Sequence, residues 1–251
     1  MTTNRYYYLA RYYDRIFAAQ VGWLDPAREA VLGPILPDVA SACDLACGTG
    51  RTALLLARRG IRMCAVDLSG EMCRTAREKS RRASLPLCVI QSDMRSFRLP
   101  EPVDLVLCEF DAINHIPTKS DLNLVAKAVS RALRPGGHFY FDSNNRLSFQ
   151  KLWPSTWWVE KPGLVMVMHG GYDAARDMAW SDVDWFVREG KLWRRRREHV
   201  EEVCWTAAEV RRALRSAGFG AIRSWDTSEF NPNDPVSGPG YRTIYLARKE
   251  K

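Results

Sequence analysis

Short apolar runs alternate with amphipathic segments through the first 145 residues of the chain. Each run has the length of a strand, and helix start signals such as Ser69, and Ser120 or Asp121, lie between the runs. This alternation predicts an α/β fold with a doubly wound, mostly parallel sheet. The strands predicted in this part are 40–45, 62–67, 87–91, 103–108 and 137–143.

The pattern changes after Asn145, where prolines and a Gly170-Gly171 pair interrupt the apolar runs. Alternating segments follow, which predicts an inserted antiparallel β cap at 146–204. Thr206 then caps a predicted helix that reaches Ala217, and two more strands follow at 221–226 and 242–248. The predicted domains are an α/β domain made of residues 1–145 and 205–251, and the inserted cap, which we expect to bind a substrate.

A glycine turn follows the first predicted strand, in the sequence Asp44-Leu45-Ala46-Cys47-Gly48-Thr49-Gly50. Glycines at such a turn let a ligand approach the backbone, and an acid about 20 residues later, here Asp67, can bind ribose hydroxyls. Gly48, Gly50 and Ala53 also satisfy the dinucleotide fingerprint. An NAD-dependent oxidoreductase is therefore one alternative.

Asp44 argues against a dinucleotide. A carboxylate four residues before Gly48 would repel a diphosphate and attract a cation, since unit charges near a protein surface interact by roughly 1 to 4 kcal/mol. S-adenosylmethionine carries an ammonium, a sulfonium and a ribose, and it has no phosphate. The turn therefore favours a positively charged nucleoside.

On these residues the chain resembles class I S-adenosylmethionine-dependent methyltransferases of the small-molecule type, from Tyr13 to about Asn144. The first motif of that family is acid-x-Gly-x-Gly-x-Gly, and here Ala46 replaces the first glycine and Arg51 the last. The resemblance implies S-adenosylmethionine as the cofactor. It also implies a Rossmann-like sheet of seven strands with the last one antiparallel.

The resemblance also assigns roles to residues around the turn. It implies that Asp67 with Leu68 holds the ribose, that Met72 flanks the adenine, and that Asp93 with Met94 reads its edge. The exit of the fourth strand would meet the methionine end, and a Tyr-Asp segment at Tyr13 would close over the cofactor. The implied cofactor-binding residues are Tyr13, Asp44, Ala46, Gly48, Thr49, Gly50, Asp67, Leu68, Met72, Asp93, Met94, Cys108, Glu109 and Phe110.

The catalytic candidates follow the fourth strand, because ligands bind at the carboxyl edge of open α/β sheets. Methyl transfer is an in-line displacement that mainly needs alignment, and a base is needed only if the acceptor arrives protonated. His115 is the first candidate for that base or for orienting the acceptor, with a role in the core as its alternative. Asp111 is the second candidate, unless it caps a short helix. His199 could face the cleft, although surface exposure is the simpler interpretation.

The segment Glu109-Phe110-Asp111-Ala112 also bears on the acceptor. It lacks the Asn/Asp/Ser-Pro-Pro-aromatic run of enzymes that methylate exocyclic base nitrogens, and no Pro-Cys pair of the carbon-5 pyrimidine enzymes occurs. We therefore predict transfer of the methyl group to an N or O atom of a small metabolite. The four histidines lack acid or i, i+4 partners, so we expect no metal site.

Composition adds a rival interpretation. The chain of 251 residues has a net charge of +8 and contains the basic run Arg194–Arg197, which leaves an RNA or protein methyltransferase as an alternative. A hairpin turning at Glu189-Gly190 would instead pair Asp184 with Arg195 and Asp182 with Arg197, as a cross-strand charge ladder. This ladder disfavours nucleic acid as a partner. A module that binds the cofactor without turnover is a further alternative.

The remaining features are general. No apolar run is long enough to span a membrane, and residues 1–20 do not resemble a signal peptide, so we expect a cytoplasmic protein. Seven cysteines without a C-x-x-C pair predict reduced thiols. In the tryptophan-rich cap, we expect Trp180, Trp185 and Trp193 to pack, whereas Trp153, Trp157 or Trp158 could line a pocket. Nothing in the sequence indicates the oligomeric state.

Overall fold

The computed structural model describes residues 7–17, 22–230 and 240–250. Its helices are α1 (Tyr7–Phe17), α2 (Asp25–Leu32), α3 (Arg51–Ala57), α4 (Gly70–Arg82), α5 (Lys119–Ala132), α6 (Arg146–Lys151) and α7 (Ala207–Ser216). Its strands are β1 (Ser41–Leu45), β2 (Arg62–Asp67), β3 (Leu87–Gln91), β4 (Val103–Cys108), β5 (Leu133–Asn144), β6 (Thr156–Lys161), β7 (Leu164–Asp173), β8 (Met178–Glu189), β9 (Leu192–Val203), β10 (Phe219–Asp226) and β11 (Arg242–Lys249).

The main sheet has seven strands in the order β10-β11-β5-β4-β1-β2-β3. Strands β1 to β5 are parallel, whereas β11 runs antiparallel to both β5 and β10. The predicted fold class is confirmed. The strand order reverses between β1 and β4, and a ligand crevice is expected at the carboxyl ends of the strands at such a point.

The strand runs are buried because both faces of the sheet are covered. On one side, Phe139 and Phe141 stack at 4.5 Å, and Phe141 stacks on Tyr245 at 4.8 Å, over α5 and α7. The other side packs Leu105 and Leu107 against apolar residues of α2 and α3. These two layers hold the carboxyl edge of the sheet in a fixed position.

Two elements begin or end differently from the prediction. Helix α5 starts at Lys119 because the Thr118 hydroxyl accepts a hydrogen bond from the Asp121 amide and so caps it, rather than Ser120 or Asp121. Strand β5 begins at Leu133, opposite Val103, rather than at the predicted residue 137. Ser69 and Thr206 cap α4 and α7 as predicted.

The insertion forms a separate antiparallel sheet in the order β6-β7-β8-β9. One face of this sheet packs Leu164, Met166 and Trp185 against Tyr12 and Ile16 of α1. The antiparallel cap is thus confirmed, whereas the domain boundaries remain a prediction. Among the described residues, no helix combines the length and apolar character needed to cross a membrane.

The register of the β8–β9 hairpin corrects the predicted ladder. A two-residue turn at Gly190 and Lys191 places Glu189 opposite Leu192, so that Asp184 lies opposite Arg197 and Asp182 opposite His199. The shift is two residues, which keeps each side chain on its predicted face. Asp184 accepts hydrogen bonds from both Arg195 and Arg197, so one carboxylate serves two arginines.

The cap tryptophans divide between core and surface. Trp185 is fully buried, as predicted, but Trp193 is 51% exposed, so its predicted packing is wrong. Trp157 packs against Phe17 and Trp153 against Phe149, whereas Trp158 is 64% exposed. None of these contacts by itself forms a pocket.

Candidate active site

The glycine turn lies between β1 and α3. Ala46, Gly48 and Gly50 all have positive φ angles, of 58°, 53° and 79°. A Cβ on Gly50 would lie 3.0 Å from the Cβ of Ala76, because α4 packs directly on the turn. The nearest atom to a Cβ on Gly48 would be the Met72 sulfur at 4.0 Å, so this glycine leaves room for a ligand.

Asp44 lies beneath the turn and is 3% exposed. Its Oδ2 accepts a hydrogen bond from the Ala53 amide at 3.0 Å. Burial, and then the charge of Glu109, raise the pKa of Asp44 to about 8. The side chain therefore holds a proton at neutral pH until a cation approaches, rather than carrying the fixed charge expected from the sequence.

Asp67, the last residue of β2, accepts hydrogen bonds from the glycine turn and from the segment that follows β2. Its Oδ2 accepts from the Gly48 amide at 2.8 Å, and its Oδ1 accepts from the Ser69 amide at 2.8 Å. Burial raises the pKa of Asp67, and these backbone hydrogen bonds oppose that rise. The neighbouring Leu68 is 63% exposed, which offers an apolar surface beside a carboxyl group.

The chemistry of this donor set fits a positively charged nucleoside. Two cationic side chains lie close to the turn, and both are neutralised. The Arg51 guanidinium donates to both carboxylate oxygens of Asp25, at 2.9 and 2.6 Å. The Lys79 ammonium lies 2.6 Å from Asp14 and 2.8 Å from the Thr49 hydroxyl. A diphosphate would meet the carboxyl groups of Asp44 and Asp67 with no unpaired cation from Arg51 or Lys79 to balance its charge. An ammonium or sulfonium would instead favour the ionised form of these carboxyl groups and be attracted by it.

Asp93 is engaged in a different way. Its carboxylate accepts from the Arg95 amide at 2.8 Å and from the Arg95 guanidinium, which also pairs with Asp121. These hydrogen bonds lower the pKa of Asp93. Met94 packs against the apolar layer beside α5. The role of this pair at the adenine edge stays a prediction.

The exit of β4 reaches an ion pair that the sequence did not reveal. Cys108 is fully buried, and the Glu109 carboxylate accepts from Arg28 at 2.9 Å and from the Thr52 hydroxyl at 2.8 Å. Arg28, from α2, is 1% exposed and also pairs with Asp25. An arginine in a segment of polar and apolar residues resembles a surface residue, so no sequence signal indicated that Arg28 is buried.

A strained turn follows Glu109. Phe110 and Asp111 have consecutive positive φ angles of 61° and 52°, and such conformations cost non-glycine residues about 1 to 3 kcal/mol each. The turn brings the Asp111 backbone N–H to 3.1 Å from Asp142 Oδ2. It also places the Asp111 carboxylate 2.6 Å from the side-chain nitrogen Nδ2 of Asn144. The side chain does not cap the short helix that follows, contrary to the alternative reading of the sequence.

Asp111 belongs to a group of buried charges at the carboxyl edge of β4 and β5. Arg242, at the start of β11, donates to Asp142 at 2.5 Å and to Asp111 at 3.3 Å. Glu202, from the cap strand β9, accepts from Asn144 at 3.2 Å and is 7% exposed. We call Asp111, Asp142, Glu202 and Arg242 the acidic cluster, since it has three carboxyl groups and one guanidinium.

Two carboxyl groups of the acidic cluster, those of Asp142 and Glu202, have raised pKa values. Burial raises the pKa of Asp142 to about 6, although Arg242 opposes the rise. Burial and the charge of Asp111 raise the pKa of Glu202 well above its usual range. Among the described residues, the second oxygen of Asp142, Oδ1, is buried without a hydrogen-bond partner. Such a group costs free energy unless a ligand supplies a donor.

Tyr13 and His115 lie close to the acidic cluster. Burial and the charge of Asp111 raise the pKa of Tyr13, which α1 contributes. Burial lowers the pKa of His115, whereas Asp111 and a hydrogen bond with the Glu201 backbone oppose that change. His115 is therefore neutral at pH 7. His199, in contrast, is half-exposed and bonded to Asp182 at 2.8 Å on the other face of β9, which confirms its surface position.

Helix α1 links the cap to the glycine turn. The Glu198 carboxylate of β9 accepts from the amides of Tyr8 and Leu9, at 2.9 and 3.3 Å, and so caps the helix. At its other end, Asp14 accepts from the Thr49 hydroxyl at 2.7 Å. The predicted Tyr-Asp segment thus belongs to a helix that contacts both the cap and the glycine turn.

The sequence missed Asp142, Asn144, Glu202 and Arg242. A carboxyl group at the end of an apolar strand, as in Phe-Tyr-Phe-Asp, is a signal that could have identified Asp142. Glu202 lies in a charged run that resembles an exposed strand, and Arg242 opens a strand that was predicted only as an element.

The chain is similar to known methyltransferases. A family model described as "Methyltransferase domain" matches residues 42–137. The putative methyltransferase YqeM of Bacillus subtilis (strain 168) is 28% identical over 218 residues, which cover 86% of this chain and 87% of that protein.

Two solved structures resemble the whole chain. An S-adenosylmethionine-dependent methyltransferase from Clostridium acetobutylicum ATCC 824 has a TM-score of 0.79 and 26% identity, covering 98% of this chain and 99% of the other. The sugar N-methyltransferase KedS8 from Streptoalloteichus sp ATCC 53650 has a TM-score of 0.79 and 22% identity, covering 100% of this chain and 96% of the other.

Proposed function

We propose, from the premise that this chain is a class I S-adenosylmethionine-dependent methyltransferase, that it methylates the amino nitrogen of a small molecule. The acceptor would lie at the acidic cluster, under the cap. The observation that carries the proposal is the buried Asp142 Oδ1, which has no partner among the described residues and lies in a group of three carboxyls against one guanidinium.

Charge distinguishes an amine from a hydroxyl acceptor. Buried carboxyl groups are costly to ionise unless a cation or several donors compensate them. An ammonium would supply both the missing charge and the N–H donors, and it would bring the pKa values of Asp142 and Glu202 down again. A hydroxyl would supply one donor and no charge. An amine therefore fits the acidic cluster better.

The cofactor, when bound, supplies a methyl group activated by a sulfonium. Asp44, Asp67 and the glycine turn would hold the cofactor. The acceptor nitrogen must present a lone pair to the methyl group, so an ammonium has to lose a proton first. His115 is suited to take that proton because burial keeps it neutral. Its hydrogen bond with the Glu201 backbone would hold the ring in one orientation.

The acceptor class to test first is the amino sugars. KedS8 is named as a sugar N-methyltransferase, and an amino sugar combines an ammonium with hydroxyl groups in a small molecule. At 22% identity that likeness shows the fold alone, so the support for an amine comes from the acidic cluster.

The experiment compares matched acceptors. Pairs of small molecules that differ only in an amino group or a hydroxyl at one carbon are incubated with the cofactor, and products are identified by mass spectrometry. We expect methyl transfer to the amino member of at least one pair and none to its hydroxyl partner. Methylation of the hydroxyl member, or inert amines in a protein that binds the cofactor, would refute the proposal.

A further inference from the structure

A cavity lies where the start of α1 meets the tip of the β8–β9 hairpin. It has a volume of about 330 Å³ and is lined by Arg11, Arg188, Arg194 and Arg196, together with tyrosines of α1. Glu189 is the carboxylate among its lining residues. We call it the arginine pocket.

Two arginines of the pocket, Arg188 and Arg196, are held in place through contacts at Nε that leave their terminal nitrogens available. Arg196 donates from Nε to the Tyr8 hydroxyl at 3.0 Å, and Arg188 donates from Nε to the Gly190 carbonyl at 3.0 Å. Within residues 7–17, 22–230 and 240–250, the terminal nitrogens of these two side chains bond no protein acceptor. Arg11 lies 5.7 Å over the ring of Tyr12.

Alternate residues of β9 differ in their ion-pair partners. Arg195 and Arg197, on the opposite face, are both bonded to Asp184, whereas Arg194 pairs with Glu189 inside the pocket. Glu198, the next acid on the pocket face, is already used by the amides of α1 and by Trp185. Four guanidinium groups therefore share one carboxylate, and a bound anion would supply the missing counter-charge.

The arginine pocket is separate from the acidic cluster. Arg196 and Glu202 lie on the same face of β9, six residues apart, which corresponds to about 20 Å along a strand. A small acceptor bound at Glu202 does not extend that far. The two sites also have opposite charge, so they select different chemical groups.

We propose that the arginine pocket binds a phosphate-bearing ligand. Guanidinium groups fixed at Nε present two parallel N–H donors, the geometry that matches the oxygens of a phosphate. The Tyr7 and Tyr8 rings, with centroids 5.1 Å apart, form the wall beside these donors. The pocket exceeds a single phosphate in volume, so a pyrophosphate group is the probe of matching size and charge.

Calorimetric titration of the full chain with inorganic pyrophosphate at low salt tests the proposal. We expect saturable binding that weakens as salt rises, and an at least tenfold weaker affinity in Arg196→Gln. The matched control is Arg195→Gln, one residue away on the face paired with Asp184, which should stay within twofold of the original protein. Arg188→Gln provides a second variant if Arg196→Gln fails to fold.

Two results would overturn this proposal. One is the absence of pyrophosphate binding in the folded protein, and the other is an equal loss in Arg195→Gln and Arg196→Gln, which would indicate diffuse surface charge. Neither measurement needs a methyl acceptor, so it is independent of the proposed function. Competition between pyrophosphate and the methyl acceptor in a turnover assay would then show whether the phosphate belongs to a long acceptor, and its absence would indicate a separate ligand.

Discussion

Single buried carboxyl groups define the site at the residue scale, and their charge depends on what binds beside them. Asp44 illustrates this, because burial raises its pKa to about 8. A cation favours the ionised form. Cofactor binding near pH 7 should therefore release a proton, and binding above about pH 9 should not.

Calorimetry in two buffers of different ionisation enthalpy measures this proton. We expect the apparent binding enthalpy to depend on the buffer at pH 7, and Asp44→Asn to remove that dependence while weakening the cofactor at least tenfold. The original protein at high pH is the control. An unchanged affinity in Asp44→Asn would reject the role given to this residue.

A substitution at Asp142 tests the proposed acceptor site. Asp142→Asn keeps the shape of the side chain but removes its charge, so we expect kcat/KM for an amine to fall at least tenfold, or about 1.4 kcal/mol. The cofactor Kd should change less than twofold. Asp184→Asn, on the far face of the cap, serves as the control, and an equal loss in both variants would contradict the assignment.

His115 is expected to act on turnover alone. His115→Gln retains hydrogen-bonding capacity but cannot take a proton at neutral pH, so kcat should fall at least tenfold while the cofactor affinity is preserved. Single-turnover kinetics and calorimetry separate the two effects. Parallel losses in both would assign His115 to the packing of the site.

At the scale of elements, α1 connects the cap with the glycine turn. Glu198 caps its first turn, and Asp14 fixes its last turns to Thr49. Loss of a cap costs about 1 kcal/mol. We expect Glu198→Gln to weaken cofactor binding three- to tenfold and to speed amide exchange in α1. Glu201→Gln, exposed on the same strand, should change neither.

The elements themselves were largely predictable, and their long-range contacts were not. The bounds of β2, β3 and β4 match the prediction because each strand is an apolar run between clear turn signals. Arg28 could not be found, since its partner Glu109 lies 81 residues away and a buried arginine has no local signature. The hairpin register was wrong because the turn at Gly190 is shorter than the sequence reading assumed.

For the whole molecule, the raised pKa values predict how stability depends on pH. A carboxyl group whose pKa is raised on folding keeps a proton that the unfolded chain has lost, so stability falls as pH rises towards the folded value. Asp44 acts in this direction up to about pH 8. The acids with lowered pKa values, such as Asp93, contribute their full stabilisation above about pH 5. They therefore do not change how stability varies between pH 5 and 8.

Urea unfolding of the ligand-free chain between pH 7 and 8 tests this expectation. We expect the free energy of unfolding to fall as pH rises, by at most about 1.4 kcal/mol per pH unit for each proton released. Asp44→Asn should flatten the slope. A free energy that rises with pH over this range would show that the proton on Asp44 does not dominate.

Because Phe110 and Asp111 are consecutive left-handed residues, we expect heat resistance and turnover to compete at their turn. Their backbone is held by neighbours such as Asp142 and Asn144, against its own conformational preference. A glycine at Phe110 would relax that backbone, yet it would also release the segment that holds Asp111 in the acidic cluster. Engineering for thermal tolerance should therefore begin elsewhere in the chain.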